Sequence, residues 1–87
     1  MENFGALIME TSFYIETYID KKIAEQFEQD IMFTLKTRDL KVRAYDDYMN
    51  VEIYEDDLSF KDLLNLVQLI KEYEFTDYVK NFVFNKW

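Results

Sequence analysis

The chain has 87 residues, a formal net charge of −8, and neither cysteine nor histidine. Without these two residue types there is no disulfide framework, thiolate nucleophile, histidine general base or common zinc site. Aromatic residues make up 18% of the chain, which gives a small domain large side chains for its core and argues against disorder.

The sequence contains neither an apolar stretch long enough to cross a bilayer nor the basic and apolar pattern of a signal peptide. We therefore expect a soluble protein of the cytoplasm. There is no proline, and the single glycine is Gly5. Residues 11–87 are expected to form one α+β domain, and residues 1–10 a flexible arm or the start of the first strand.

The first predicted element covers residues 11–19, where apolar and polar side chains alternate as in a half-buried strand. A helix is the alternative, because large apolar residues also recur every four positions (Ile15, Ile19, Ile23, Phe27, Ile31). In that alternative, a long N-terminal helix running into residue 37 would lie on a small antiparallel sheet. The strand is the interpretation that we carry forward.

A helix is predicted over residues 21–38, with Asp20 as its N-cap and one apolar stripe (Ile23, Ala24, Phe27, Ile31, Leu35). Two alternating segments follow, residues 40–46 and 49–55, and they predict a hairpin that turns near residues 47–50. Within the hairpin, Val51 and Ile53 are expected to face the core, and Glu52 and Tyr54 to face outward.

Ser59 and Asp62 resemble a capping box at the start of a second helix over residues 60–73. This helix has more apolar residues than one surface stripe needs (Phe60, Leu63, Leu64, Leu66, Val67, Leu69, Ile70, Tyr73). It is therefore expected either to lie deep in the domain or to meet another subunit. In the tail, residues 76–87, aromatic and β-branched content favours a strand over a short helix capped by Thr76.

The resulting order, β-α-β-β-α-β, predicts a ferredoxin-like α+β fold, in which both helices cover one face of an antiparallel sheet. The other sheet face would be open. By strand alternation, the open face would carry four tyrosines and four charged residues (Tyr14, Glu16, Tyr18, Lys41, Arg43, Tyr45, Glu52, Tyr54).

The segment YDDYMNVEIYEDD, residues 45–57, is the candidate partner-binding segment, since it combines acids and tyrosines with no lysine or arginine to balance the charge. Its carboxylates would supply charge and its tyrosines would supply anchors (Asp46, Asp47, Glu52, Glu55, Asp56, Asp57, Tyr45, Tyr48, Tyr54). Strand residues two apart project about 6.6 Å from one another, close to the phosphate spacing of nucleic acid. Tyrosine adds contact area and accepts arginine through cation–π contact.

Other interpretations of this segment are weaker. The acids lack the glycine and the spacing of a calcium loop. No nucleophile motif or phosphate-binding loop is present, and so small a domain has little room for the cleft of a carboxylate-pair hydrolase. We therefore expect no catalytic residues, no metal and no cofactor. Direct binding of nucleic acid is not expected either, because the acids repel phosphates, and no membrane partner is expected, because no long apolar stretch is present.

The acids also have a purely structural explanation. Aspartate is favoured in hairpin turns and near the positive N-terminus of a helix. A well-solvated hairpin would therefore contain Asp46, Asp47, Asp56 and Asp57 without any partner. This interpretation does not account for the tyrosines interleaved with the acids.

In profile, the chain resembles the small acidic proteins that bacterial and archaeal viruses use against their hosts, including anti-CRISPR proteins and DNA mimics. The shared features are the short length, the absence of Cys, His and Pro, the many aromatic residues and the YDDYMNVEIYEDD segment. The resemblance implies a non-enzymatic inhibitor that acts in the host cytoplasm and blocks a basic, nucleic-acid-binding surface of a host defence protein. A self-associating structural or scaffold protein that forms a homodimer is the alternative.

Overall fold

The computed structural model describes residues 11–55 and 58–84. In chain order its elements are β1 (Thr11–Ile15), α1 (Lys21–Leu35), β2 (Leu40–Ala44), β3 (Met49–Ile53), α2 (Phe60–Glu72), a 3₁₀ turn (Thr76–Tyr78) and β4 (Val79–Phe84). The strands form one sheet in the order β2-β3-β1-β4, with every neighbouring pair antiparallel. The predicted α+β class, with an antiparallel sheet and two helices, is confirmed. The expectation for residues 1–10 lies outside the described residues.

Strand β1 is shorter than predicted, and the alternative of one long N-terminal helix is wrong. The chain turns after Ile15, where the Thr17 amide donates to the Ile15 carbonyl oxygen at 3.0 Å. Ile15 pairs with the first residue of β3, Met49, and the first residue of β4, Val79. Because both partner strands begin there, the strand pairing of β1 ends at Ile15, and beyond it the Glu16 amide bonds only to the 3₁₀ turn that precedes β4.

Helix α1 begins after Asp20, whose carboxylate accepts the Lys22 amide at 3.1 Å, as predicted for an N-cap. It ends three residues earlier than predicted, because Lys36 takes a left-handed conformation with φ 55°. A left-handed residue is the common way to end a helix. The predicted stripe is buried except at Ile23, which is 40% exposed.

The sheet has one covered and one open face. On the covered face, Phe13, Ile15, Val51 and Ile53 are buried with the inner residues of both helices. Strand alternation sends their neighbours to the open face. The inward direction predicted for Val51 and Ile53 is therefore confirmed.

Helices α1 and α2 are also joined by a polar contact, in which the Tyr73 hydroxyl donates to an Asp30 carboxylate oxygen. The Tyr73 ring packs edge-on against Phe27, with 4.9 Å between ring centroids. Burial raises the pKa of the Tyr73 hydroxyl, and the hydrogen bond to Asp30 and its negative charge raise it further.

Strand β4 confirms the strand predicted for the tail, although a 3₁₀ turn precedes it. Ser12 pairs with Val83 and Tyr14 with Lys80, so two residues of β4 lie opposite Phe13 alone. This bulge places Asn81 at φ 53°, a conformation that asparagine tolerates better than most residues. The bulge lets both Val79 and Phe82 pack against the core, and Phe82 stacks on Phe13 at 5.1 Å.

Helix α2 confirms the predicted capping box. The Asp62 amide donates to the Ser59 hydroxyl at 3.1 Å, and the Ser59 amide donates to the Asp62 carboxylate at 2.9 Å. The helix buries Leu66, Leu69 and Ile70 and does not lie deep in the domain. Its outer side is an apolar ridge, here called the α2 ridge, whose side chains are 67%, 67% and 47% exposed (Phe60, Leu64, Val67).

Candidate functional site

The hairpin between β2 and β3 turns at residues 45–48, two residues earlier than predicted. The Tyr45 amide donates to the Tyr48 carbonyl oxygen at 2.7 Å and closes the turn. Met49 is fully buried and pairs with both Ala44 and Ile15. Because Met49 and Asn50 are needed in the sheet, the turn consists of Tyr45, Asp46, Asp47 and Tyr48.

Three tyrosines form a cluster beside this turn. The Tyr45 and Tyr48 rings are stacked, with centroids 4.7 Å apart and an interplanar angle of 22°. The Tyr14 ring, from strand β1, meets Tyr48 edge-on at 5.8 Å. Tyr14 and Tyr45 are 38% and 46% exposed, so the cluster remains accessible to a partner.

The tyrosine cluster lines a depression of about 470 Å³ on the open sheet face, here called the open-face concavity. Its lining is aromatic and polar, and its three charged residues are all carboxylates (Ser12, Tyr14, Glu16, Tyr45, Asp47, Tyr48, Asn50, Glu52). The Glu16 amide donates to the Tyr78 carbonyl oxygen at 2.8 Å. This bond ties the residue just beyond β1 to the 3₁₀ turn just before β4.

A second depression, of about 520 Å³, lies on the other side of the turn, against α1. We call it the helix-side concavity. Its charged residues are three carboxylates and one lysine (Glu25, Glu28, Asp46, Lys21). Tyr45 lines both concavities, so the turn forms a wall between two depressions that are both predominantly acidic.

Glu52 differs from the acids of the turn because it already has partners. It accepts the Tyr54 hydroxyl at 2.7 Å and lies 3.4 Å from the Arg43 guanidinium. Lys41 pairs directly opposite Glu52 on β2. The segment has no basic residue in sequence, yet the fold places Arg43 and Lys41 beside Glu52.

The remaining acids of the candidate segment do not join the turn. Glu55 follows the end of β3, where Ile53 pairs with Leu40, and the turn lies at the opposite end of this strand pair. Asp56 and Asp57 lie outside the described residues. The structure therefore brings Tyr45, Asp46, Asp47 and Tyr48 together and leaves Glu55 apart from them.

Among the acids and tyrosines that line the two concavities, five were not assigned to the binding segment from sequence (Tyr14, Glu16, Tyr18, Glu25, Glu28). Strand alternation did place Tyr14 and Glu16 on the open face. Tyr18 was expected there too, but it lines the helix-side concavity because β1 ends at Ile15. Glu25 and Glu28 belong to α1, and no local pattern connects them to a hairpin some twenty residues away.

Within residues 11–55 and 58–84, no group of three or more acidic side chains is arranged to hold a metal ion. In the same part of the chain, no helix has the length and apolar character needed to span a membrane. Searches against protein-family models, curated proteins and solved structures found no match for this chain.

Proposed function

We propose that this chain is a non-enzymatic binding protein that places its acidic hairpin turn against a basic surface of another protein. One observation carries the proposal: Tyr45 separates two concavities that together present six carboxylates and one lysine (Glu16, Glu25, Glu28, Asp46, Asp47, Glu52, Lys21). Four tyrosines lie among these charges (Tyr14, Tyr18, Tyr45, Tyr48). Charge steers the encounter, and tyrosine supplies contact area at low entropic cost.

The partner that best fits such a surface is a protein with a lysine- and arginine-lined nucleic-acid site. In the host cytoplasm, a virus-encoded protein of this kind would block a defence protein, in the manner of the anti-CRISPR proteins and DNA mimics that the chain resembles in composition. The concentration of charge at the turn supports this role. Mimicry of nucleic acid would reside at the turn, since Arg43 interrupts the acids along the strands.

A ferredoxin-like arrangement is part of the same proposal. It is supported by the strand order β2-β3-β1-β4 and by the antiparallel pairing of all neighbouring strands. In this arrangement β1, β2 and β3 are the strands that position the turn. The two helices leave the opposite sheet face open to a partner.

The test is capture from host lysate by the immobilised protein at about 50 mM and at about 500 mM salt, where charge contacts are strongly screened. We expect a basic, nucleic-acid-binding protein to be retained at low salt, lost at high salt, and displaced by added duplex DNA or RNA. The turn variant, Asp46→Asn with Asp47→Asn, should lose this protein. The matched control, Asp39→Asn with Glu72→Gln, removes two charges outside both concavities and should retain it.

Equal loss in the turn variant and the control would show that only overall charge matters, and would contradict a site at the turn. Retention by the turn variant would contradict it as well. Glu55→Gln is a separate comparison, because Glu55 lies at the other end of the hairpin. We expect it to behave as the control does.

A homodimer is the second candidate, and the α2 ridge favours it. Phe60, Leu64 and Val67 share one side of α2 and are each about half exposed or more, a pattern typical of a partner-facing helix. The Phe60 ring also lies 5.8 Å from the Phe84 ring of β4. The mass in solution separates this candidate from a monomeric inhibitor.

A further inference from the structure

We propose that the open-face concavity is a receptor for one arginine side chain of the partner protein. This inference rests on the proposed function and makes it specific, because it names the residue type that the turn recognises. The depression, of about 470 Å³, is large enough to receive the end of a long side chain.

The aromatic lining is suited to a cation. Tyr48 lies between the other two rings, with its centroid 4.7 Å from that of Tyr45 and 5.8 Å from that of Tyr14, so the three rings form one continuous aromatic wall. A cation over such rings is attracted by their negative faces. The stacking of Tyr45 on Tyr48 limits ring motion, which lowers the entropic cost of binding.

The charges beside this wall have the matching sign. Glu16 and Asp47 line the concavity, and among residues 11–55 and 58–84 the only ion pair is that of Arg43 with Glu52. The carboxylates of Glu16 and Asp47 are therefore available to an incoming cation. A cation placed between them and the tyrosines would have an aromatic surface on one side and negative charge on the other.

The contact between Arg43 and Glu52 is an internal example of the same chemistry. The Arg43 guanidinium lies 3.4 Å from Glu52, a residue of the concavity lining. Arg43 itself does not line the depression. The open face thus already accommodates one guanidinium at its margin, and residues 11–55 and 58–84 leave the tyrosine-lined part of the concavity unfilled.

Arginine fits this depression better than lysine. Its planar guanidinium stacks on aromatic rings and donates in a fork to carboxylates, and it loses less hydration than an ammonium does. Because the concavity is open to water, a strongly hydrated ammonium gains less from entering it.

The test uses three short peptides, acetyl-Gly-X-Gly-amide with X as arginine, lysine or citrulline, titrated into the whole protein. Citrulline keeps the shape of arginine and removes its charge. The readout is the NMR shifts of the tyrosine ring protons. We expect the arginine peptide to shift Tyr14, Tyr45 and Tyr48 with a dissociation constant on the order of 1 mM. The lysine peptide should bind about two- to fivefold more weakly, and citrulline should cause no shift.

The variants separate the aromatic from the charged contribution. Tyr48→Leu keeps an apolar side chain and removes the central ring, and Glu16→Gln with Asp47→Asn removes the two carboxylates. Each should weaken the binding of the arginine peptide about fivefold or more. The control Asp39→Asn with Glu72→Gln should leave its affinity unchanged. Backbone NMR spectra that match the unsubstituted protein show that each variant is folded.

Equal binding of the arginine and citrulline peptides, or no shift of the three tyrosines, would overturn the arginine receptor. The proposed function has a different test, the salt-dependent capture by the turn. Salt-dependent capture without a peptide response would therefore contradict the arginine receptor and still support the proposed function. A peptide response without capture would support the arginine receptor and contradict a basic, nucleic-acid-binding protein as the partner.

Discussion

The hairpin turn and the α2 ridge are two exposed surfaces built by different means. The turn surface combines acids and tyrosines from β1, α1 and the β2–β3 hairpin. The ridge comes from one helix, where Phe60, Leu64 and Val67 follow one another by helical spacing. Contacts at the turn should be fast to form and sensitive to salt, whereas contacts at the ridge should be insensitive to salt. One small domain can thus offer two independent kinds of contact.

The largest expected effect is a loss of folding stability, which would remove both surfaces together. Phe27 is fully buried and packs edge-on against Tyr73 and Phe75. Phe27→Ala should lower the free energy of unfolding by about 3–5 kcal/mol, because it leaves a cavity in the core. That is a large fraction of the total stability of a small domain. Urea unfolding measures the loss, and a change under 1 kcal/mol would contradict this packing.

A smaller effect should separate the two surfaces. Leu64→Lys places a charge in the middle of the α2 ridge and removes a side chain whose burial in a dimer would contribute about 1.5–3 kcal/mol. We expect any self-association, measured by sedimentation, to weaken by about tenfold or more, while capture through the turn is unchanged.

The control for this prediction is Asn65→Lys, which adds the same charge at an exposed residue of α2 that lies about 100° around the helix from Leu64, away from the ridge. It should leave self-association nearly unchanged. Loss of turn-dependent capture in Leu64→Lys would show that the two surfaces are coupled. That result would contradict the independence of the turn and the α2 ridge.

The smallest expected effect concerns the helix layer, away from both surfaces. Tyr73→Phe removes the hydrogen bond to Asp30 and should lower the stability near pH 7 by about 0.5–1.5 kcal/mol. The pKa of Tyr73 is raised in the folded state, so the native protein favours the neutral phenol. Its contribution is complete below the ordinary tyrosine pKa of about 10 and is lost as the pH rises above that value.

Unfolding in urea between pH 7 and pH 11 measures this dependence. The unsubstituted protein should lose more stability across the range than Tyr73→Phe does. Tyr45→Phe is the matched control, because Tyr45 is an exposed tyrosine of the turn. Its alkaline loss should equal that of the unsubstituted protein, and a control that behaves like Tyr73→Phe would assign the effect to the turn.

Local patterns predicted the parts of the fold that depend on neighbours in sequence. The capping box of Ser59 and Asp62, the N-cap at Asp20 and the inward direction of Val51 and Ile53 all involve residues a few positions apart. Helical spacing also identified α2 as too apolar for one buried stripe. Its exposed side is the α2 ridge.

Features that depend on distant partners were not predictable in this way. Strand alternation predicted the wrong surface for Tyr18, because β1 ends where β3 and β4 begin and no local signal marks that point. The turn was placed two residues late because Met49 is required in the sheet by Ile15, far away in sequence. The contact between Arg43 and Glu52 likewise depends on the register of the hairpin.

The bulge at Asn81 also bears on how the protein avoids aggregation. Strand β4 lies at an edge of the sheet, and an edge with regular geometry is a template for the strand of another molecule. The left-handed residue in the middle of β4 and the exposed Lys80 beside it interrupt that template. A chain rich in aromatic residues can thus keep the β4 edge of its sheet from growing into a fibre without using a proline.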